Sequence, residues 1–201
     1  MELVCGVGEL GISAMFAEAK RRIILHAAVY GPFSKSEVHI QGLETALSRT
    51  DFNRLDVIAV RSDGENGWDD PFLNALRFGI SRQSVVDELE LSQSFLNELA
   101  ERYPEKVNVY LACNLPCLPL VIVDDTICFG QYAHSCVHAP QGFWGCVEAD
   151  VEKLFNWAES GNVPHEVCAD EIAAFRLVSE CSRAMKCSRT VERGSYDCAW
   201  S

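Results

Sequence analysis

The sequence has little positive charge for its length. Its 201 residues include 17 lysines and arginines against 29 aspartates and glutamates, so the formal net charge is −12. The longest basic run is Lys20–Arg22. A surface that binds duplex nucleic acid gathers Lys and Arg on one face to neutralise phosphates. We therefore do not expect a nucleic-acid partner.

Long hydrophobic runs are also missing. No apolar segment approaches the ~18 residues that a membrane-spanning helix needs. The first segment, MELVCGVGELGISAM, carries an acid at Glu2 and lacks the basic start and the apolar stretch of a secretory signal peptide. We therefore expect a cytoplasmic protein that does not contact a membrane.

Cysteine is plentiful, with ten residues, but the usual metal-binding spacings are absent. The two nearest groups are Cys113-x3-Cys117 and His134-x-Cys136-x-His138. Neither matches a zinc signature such as Cys-x2-Cys paired with His-x3-His. In a chain of this size without a secretory signal, we expect most cysteines to be reduced, buried and hydrophobic in character. We predict no metal and no other cofactor.

Helical and extended segments alternate along most of the chain. The patterns predict helices at Ile12–Arg22, Ser36–Ser48, Val85–Tyr103, Ala149–Ser160 and Ala169–Lys186, and strands at Ile23–Tyr30, Leu55–Arg61, Val107–Ala112, Leu118–Val123 and Ile127–Tyr132. Short connections between such elements indicate an α/β fold, an α-β-α sandwich with a mixed sheet. We expect a single domain over residues 1–186, followed by a flexible tail at 187–201.

An acidic stretch and one histidine are interpreted as structural rather than functional. Asp63, Glu65, Asp69 and Asp70 lie in a stretch rich in Gly and Asn, which predicts a solvated acidic loop because the calcium-loop spacing is not met. His26 interrupts an apolar strand, and we predict a core residue whose hydrogen bonds are satisfied.

The segment LPLVIVDDTICFGQY, residues 118–132, combines an apolar strand, an acidic turn at Asp124-Asp125, a second strand and a glycine. It resembles the active-site segment of the phospholipase D-like (HKD) superfamily, whose pattern is His-x-Lys-x4-Asp followed by Gly-Ser-x-Asn. The order of elements over residues 10–160 also resembles one repeat of that family. The resemblance implies a phospholipase D-like form of the sandwich.

The residues that carry the chemistry of that family are replaced here. Aligned on Asp124, Cys117 stands at the histidine position and Pro119 at the lysine position, while Gln131 and Ala133 stand where Ser and Asn would be. In active members the histidine attacks phosphorus, and lysines stabilise the developing charge. The resemblance therefore implies a catalytically inactive domain that serves as a binding, sensing or assembly module.

The candidate site or interface consists of residues within and after this segment: Cys117, Leu118, Pro119, Asp124, Tyr132, His134 and His138. Members of the family with a single repeat pair two copies across the catalytic face, so we expect a homodimer, together with an unknown protein or small-molecule ligand. We also predict that the Asp124 carboxylate accepts backbone N–H bonds and stabilises its turn.

Two other functions stay open from the sequence. An enzyme of another class would use Cys117, His134, Cys136 or His138, and a Cys–His pair within hydrogen-bond reach would favour it. A nucleic-acid-associated regulator would need a basic groove in the folded surface. An apolar patch at the strand ends would favour the binding module.

Overall fold

The computed structural model describes residues 2–60, 67–133 and 135–188. The strands are β1 (Glu2–Cys5), β2 (Arg22–His26), β3 (Arg54–Val60), β4 (Val107–Ala112), β5 (Leu120–Val123), β6 (Thr126–Gly130) and β7 (Phe143–Glu148). The helices are α1 (Ile12–Glu18), α2 (Gly31–Ser34), α3 (Glu37–Ser48), α4 (Asp69–Leu76), α5 (Arg82–Arg102), α6 (Val151–Ser160) and α7 (Ala169–Cys187). Two 3₁₀ helices cover Val7–Leu10 and Ala139–Gln141.

The strands form one mixed sheet in the order β1-β7-β6-β5-β2-β3-β4. Strands β2, β3 and β4 are parallel, and every other pairing is antiparallel. Helices α3 and α5 lie in the crossovers between the parallel strands, which a parallel pair requires. At the centre of the sheet His26 of β2 is paired with Ile58 of β3 on one side and with Leu120 of β5 on the other.

Helices cover both faces of the sheet. Ile23 and Leu25 of β2 belong to a core with residues of α1, α3 and α5, whereas Ile24 belongs to a second core with residues of α6 and α7. Successive residues of a strand face opposite sides, so a strand covered on both sides is apolar throughout. The predicted α-β-α sandwich with a mixed sheet is confirmed.

The first helix and the strand after it are both shorter than their patterns predict. Helix α1 ends at Glu18, because the Asp124 carboxylate accepts the backbone N–H groups of Lys20, Arg21 and Arg22 and holds this segment out of the helix. Strand β2 ends at His26 rather than Tyr30, since the Tyr30 hydroxyl returns to bond the carbonyl of Leu25.

The sequence patterns did not predict β1, α2, α4, β7 or either 3₁₀ helix. The expected acidic loop is wrong for Asp69 and Asp70, which form the first turn of α4, where acidic side chains interact favourably with the helix dipole. Asp63 and Glu65 lie outside the described residues. Helix α7 ends at Cys187, and positions 189–201 of the predicted tail also lie outside them.

The prediction that most cysteines are buried is wrong. Cys128 of β6 and Cys146 of β7 are register partners joined by a disulfide. Among the other described cysteines, Cys181 is buried and Cys113 is half-buried, whereas five are exposed: Cys5, Cys117, Cys136, Cys168 and Cys187. The exposed thiols lie in loops or at the ends of elements, where no second layer covers them.

Candidate functional site

One edge of the sheet collects most of the loops. Strands β2, β3 and β4 run parallel, and all three end at this edge. The strands on the other side of β2 alternate in direction, so β5 and β7 begin at this edge, whereas β6 and β1 end there. We call it the cavity edge. Open α/β sheets commonly bind ligands beyond the carboxyl ends of their strands.

A cavity of about 250 Å³ lies at the cavity edge. Its walls are mainly apolar and come from elements far apart in sequence, including Val7, Ile12, Leu25, Phe33, Val121 and Trp144. Gly130 permits this arrangement, because a Cβ there would lie 2.8 Å from the Trp144 ring and 3.1 Å from the Pro119 ring. The volume is close to the lower end of the ~300–1,000 Å³ range of small-molecule sites.

His26 also lines the cavity and is 2% exposed. Neither of its ring nitrogens has a hydrogen-bond partner within the described structure. Burial lowers the pKa of His26 to about 4, although the Glu180 carboxylate on α7 raises it. The imidazole is therefore neutral near pH 7, with one donor and one acceptor. His26 is buried, as predicted. The prediction that its hydrogen bonds are satisfied is wrong.

Two tyrosines complete the polar part of the lining. The Tyr30 hydroxyl is fully used: it accepts the Ala27 N–H and lies 3.0 Å and 2.8 Å from the carbonyl oxygens of Leu25 and Ile58. The Tyr132 hydroxyl accepts the Ala28 N–H at 3.1 Å. None of the described residues accepts the Tyr132 proton. Burial raises the pKa of Tyr132, so the hydroxyl keeps its proton near pH 7.

Apart from His26, the charged and basic groups of the described lining are already paired. The Arg77 guanidinium donates to the Glu88 carboxylate at 2.7 Å, with the Arg77 side chain 9% exposed. The Nδ1 of His39 lies 2.6 Å from the Ser36 hydroxyl. With His26 neutral, the described lining has no unpaired charge, and this favours an uncharged occupant.

The predicted site residues separate into different places. Pro119 and Tyr132 line the cavity. Leu118 packs against the core under α6 and α7, and Cys117 is exposed, with its backbone N–H donating to Glu180 at 2.8 Å. His138 precedes the second 3₁₀ helix.

Two further candidates, Cys136 and Asp124, do not line the cavity. Cys136 is exposed in the loop after β6, and His134 lies outside the described residues. Asp124 follows the far end of β5, about 13 Å from the cavity edge at ~3.3 Å per residue.

Asp124 stabilises the turn between β5 and β6 and the entry to β2. It has φ of 51°, and its carboxylate accepts three backbone N–H bonds, from Lys20 at 2.9 Å, Arg21 at 2.7 Å and Arg22 at 3.0 Å. Burial raises the pKa of this carboxyl, but the three backbone hydrogen bonds lower it by more. The pKa therefore lies below its ordinary value. This geometry matches the structural role predicted for the turn.

Cys117 is not activated as a nucleophile. Burial, followed by the charge and hydrogen bond of the Glu180 carboxylate, raises the pKa of its thiol. A reactive cysteine needs the opposite environment, with a cation or a helix N-terminus nearby.

Two classes of site are absent from the described ranges. Within residues 2–60, 67–133 and 135–188, no three His, Cys, Asp or Glu side chains are grouped closely enough to hold a metal ion. No helix in that part of the chain is long and apolar enough to cross a membrane.

Sequence reasoning missed most of the cavity. Its walls come from the first 3₁₀ helix, α1, α2 and the loops after β2 and β6, which no local pattern brings together. One signal was present in the sequence: a single titratable residue inside an apolar strand. That residue, His26, is one of those whose buried polar atoms lack a hydrogen-bond partner.

No protein-family model and no curated protein matches the sequence. Among solved structures, TrmBL2, an archaeal chromatin protein described as showing a novel mode of DNA binding, has a TM-score of 0.44 and 15% identity over 80% of this chain and 49% of its own. A phosphatidylserine synthase of Haemophilus influenzae, a phospholipase D-like superfamily member, has a TM-score of 0.46 and 13% identity over 95% of this chain and 47% of its own. The chain therefore spans about half the length of either structure.

Proposed function

We propose that this chain is a non-catalytic phospholipase D-like domain that binds a small, largely apolar molecule in the cavity at the cavity edge. The observation that carries the proposal is the cavity itself, a space of about 250 Å³ whose walls are mainly apolar. Pockets of this kind are the usual sites of small ligands.

The replaced residues support a binding role rather than catalysis. Pro119, at the lysine position of the resembled motif, packs near Gly130 in the cavity wall. Cys117, at the histidine position, has a thiol whose pKa is raised. Phosphoryl transfer depends on electrostatic stabilisation of the transition state, and loss of one such donor typically costs about 10²–10³ in rate. An apolar wall with paired charges is unsuited to that chemistry.

The test is a binding measurement with toluene as the apolar probe. Titration calorimetry of the wild-type protein at pH 7 should give saturable binding at one site. Val121→Phe should abolish this binding, because Val121 lines the cavity. The matched control is Val109→Phe: both valines are half-buried against the same core, but Val109 lies on edge strand β4, three strands from β5.

Binding that persists in Val121→Phe, or no saturable binding at all, would overturn the proposal. If Val121→Phe does not fold, the wild type still provides a test. Toluene should shift the indole N–H resonance of Trp144, which lines the cavity, and leave that of Trp157, which packs on Phe175 under α7.

A further inference from the structure

Trp144 lies on the cavity side of the sheet. Leu25 of β2 and Val121 of β5 are register partners, and both line the cavity. Their row continues through β6 to Cys146 of β7. Trp144, which also lines the cavity, is two residues from Cys146 on the same strand, and such residues face the same side of a sheet. The indole therefore faces the cavity side of the sheet and not α6 and α7.

The indole ring lies over Gly130, the register partner of Trp144 on β6. A Cβ at Gly130 would lie 2.8 Å and 3.0 Å from two carbon atoms of this ring and 3.1 Å from the Pro119 ring, which also lines the cavity. The indole thus occupies the space that a side chain at position 130 would need. It forms the cavity wall on the side of β7.

Two contacts hold the indole in place. One is the close approach to Gly130, and the other is the indole N–H, which donates to the carbonyl oxygen of Ala139 at 2.9 Å. Ala139 belongs to the second 3₁₀ helix and lines the cavity. A tryptophan side chain has only two rotatable bonds, and a rotation here would break the hydrogen bond. This part of the wall therefore does not yield easily to a larger ligand.

The cavity has room for a ligand about the size of one ring. Its volume is about 250 Å³. An apolar cavity of about 150 Å³ binds benzene. Two such spaces together exceed the volume of this cavity, so a second ring attached to the first would not fit unless a wall moved.

Resting on the proposed function, we propose that the ligand is a compact apolar molecule about the size of one ring, and that Trp144 sets this size limit. A smaller side chain at position 144 would extend the cavity towards β7, because Gly130 has no side chain to fill the space that the indole leaves. Trp144 is thus a residue that determines specificity.

The experiment compares toluene with biphenyl, in which a phenyl group replaces the methyl group. Equilibrium dialysis at pH 7 gives the dissociation constants of both probes, and the size ratio is defined as Kd of biphenyl divided by Kd of toluene. Biphenyl has the larger apolar surface, so burial alone would place this ratio below 1. The wild type should give a ratio above 1, and Trp144→Leu should lower it at least about tenfold.

Trp157→Leu is the matched control. Trp157 packs on Phe175 and is outside the described lining, so the size ratio should stay within about twofold of wild type. If Trp144→Leu does not fold, Trp144→Phe replaces it, and its smaller ring should lower the ratio by more than the change allowed to the control. The wild-type ratio tests the size limit independently of any variant.

The failures of the two proposals are distinguishable. If toluene binds in the cavity but biphenyl binds the wild type more tightly, the size limit is wrong, while the binding function stands. A ratio that is the same in wild type and Trp144→Leu, or that falls equally in Trp157→Leu, would overturn the role of Trp144. If neither toluene nor biphenyl binds, the proposed function itself fails.

Discussion

Half-buried Asp124 and buried His26 lie at opposite ends of the pair formed by strands β2 and β5. Their hydrogen-bonding environments are different. The Asp124 carboxylate is surrounded by backbone donors, which stabilise its charged form. His26 has no such partner, and burial destabilises its charged form. Both groups make the stability of the protein depend on pH, in different ranges.

Replacing Asp124 with Asn should lower the free energy of unfolding at pH 7 by about 1–2 kcal/mol, the cost of weakening three charge-assisted hydrogen bonds to exposed or part-buried backbone donors. Asn tolerates the left-handed backbone at this position, so the change isolates the carboxylate. The folded pKa is lowered, so the stabilisation is present above the unfolded value of about 3.9 and is lost as the pH falls through the folded value. Urea unfolding should therefore show a smaller difference at pH 3.

Asp51→Asn serves as the control, because Asp51 is 67% exposed and pairs with Arg49 at the surface. Such pairs contribute about 0–1 kcal/mol. Equal losses in the two variants would argue against the role given to Asp124.

His26 should make the protein less stable in mildly acidic solution. Its folded pKa is about 4 and its unfolded pKa 6.5, so between these values the unfolded chain binds more protons than the folded one. Stability is fully present above pH 6.5 and falls as the pH drops towards 4. About 2 kcal/mol should be lost between pH 7 and pH 5, and urea unfolding of His26→Leu should lack this loss. An unchanged pH dependence in the variant would contradict the lowered pKa.

At the scale of elements, the sequence predicts the strands whose residues form mainly apolar runs. Strands β2, β3 and β4 were recognised from apolar runs, and β4 has the predicted bounds, Val107–Ala112. Short strand β1 and strand β7, which contains Gly145, have weaker patterns and were missed. The turn at Asp124 was predicted because the Asp124-Asp125 pair and the two strands beside it are adjacent in the sequence. The cavity was not, because several separate segments build it.

The contact between α1 and α3 depends on Gly42. A Cβ at this position would lie 2.4 Å from the backbone oxygen of Ser13 and 3.3 Å from the Cβ of Phe16. In a helix without such a contact, replacing Gly with Ala would raise the free energy of unfolding by about 0.5–1 kcal/mol. Here α1 must move, and overpacking costs about 1–3 kcal/mol. Gly42→Ala should therefore lower the melting temperature.

Gly8→Ala is the control for this substitution, because nothing lies within 4 Å of a Cβ at Gly8. Its free energy of unfolding should stay within about 0.5 kcal/mol of the wild-type value, as is usual for substitutions away from such contacts. A Gly42→Ala protein as stable as the wild type would show that the two helices are not in close contact.

The whole molecule combines an acidic chain with a sheet edge that carries an apolar cavity. Cys117 and Pro119 occupy the positions that the resembled motif gives to histidine and lysine, and the pKa of the Cys117 thiol beside Glu180 is raised. Function is therefore best tested by binding and assembly as well as by turnover.

The purified protein should not hydrolyse bis(p-nitrophenyl) phosphate or phospholipid vesicles above the buffer rate. The positions of the attacking histidine and its lysine hold Cys117 and Pro119, and the raised pKa keeps the Cys117 thiol protonated near pH 7. Release of p-nitrophenolate is the measurement. Turnover that survives chelation and disappears in Cys117→Ser would revive a thiolate mechanism.

We expect the chain to form a homodimer across the cavity edge. Leu115 and Val137, on loops after β4 and β6, are 52% and 51% exposed and offer apolar surface there. Tyr132 and Leu118 are less suitable contacts, because they pack within their own chain. Light scattering at micromolar concentration should give twice the chain mass of 22.3 kDa.

Leu115→Arg should reduce the mass to that of one chain without lowering the melting temperature. Leu91→Arg, on α5 and 42% exposed, should leave the dimer intact. A wild type that stays monomeric at high concentration would leave ligand binding as the role of this edge.

Strand β1 is the first strand in sequence, but it pairs with the last: Glu2 is the register partner of Cys146, and Val4 that of Trp144. Strand β1 is synthesised before the other six described strands, so it must wait for β7 before it finds its partner. Closing so long a loop is entropically slow, so β1 should join late in folding. Until it does, β7 is an open strand edge, and the nascent chain is most exposed to mispairing with another copy at that stage.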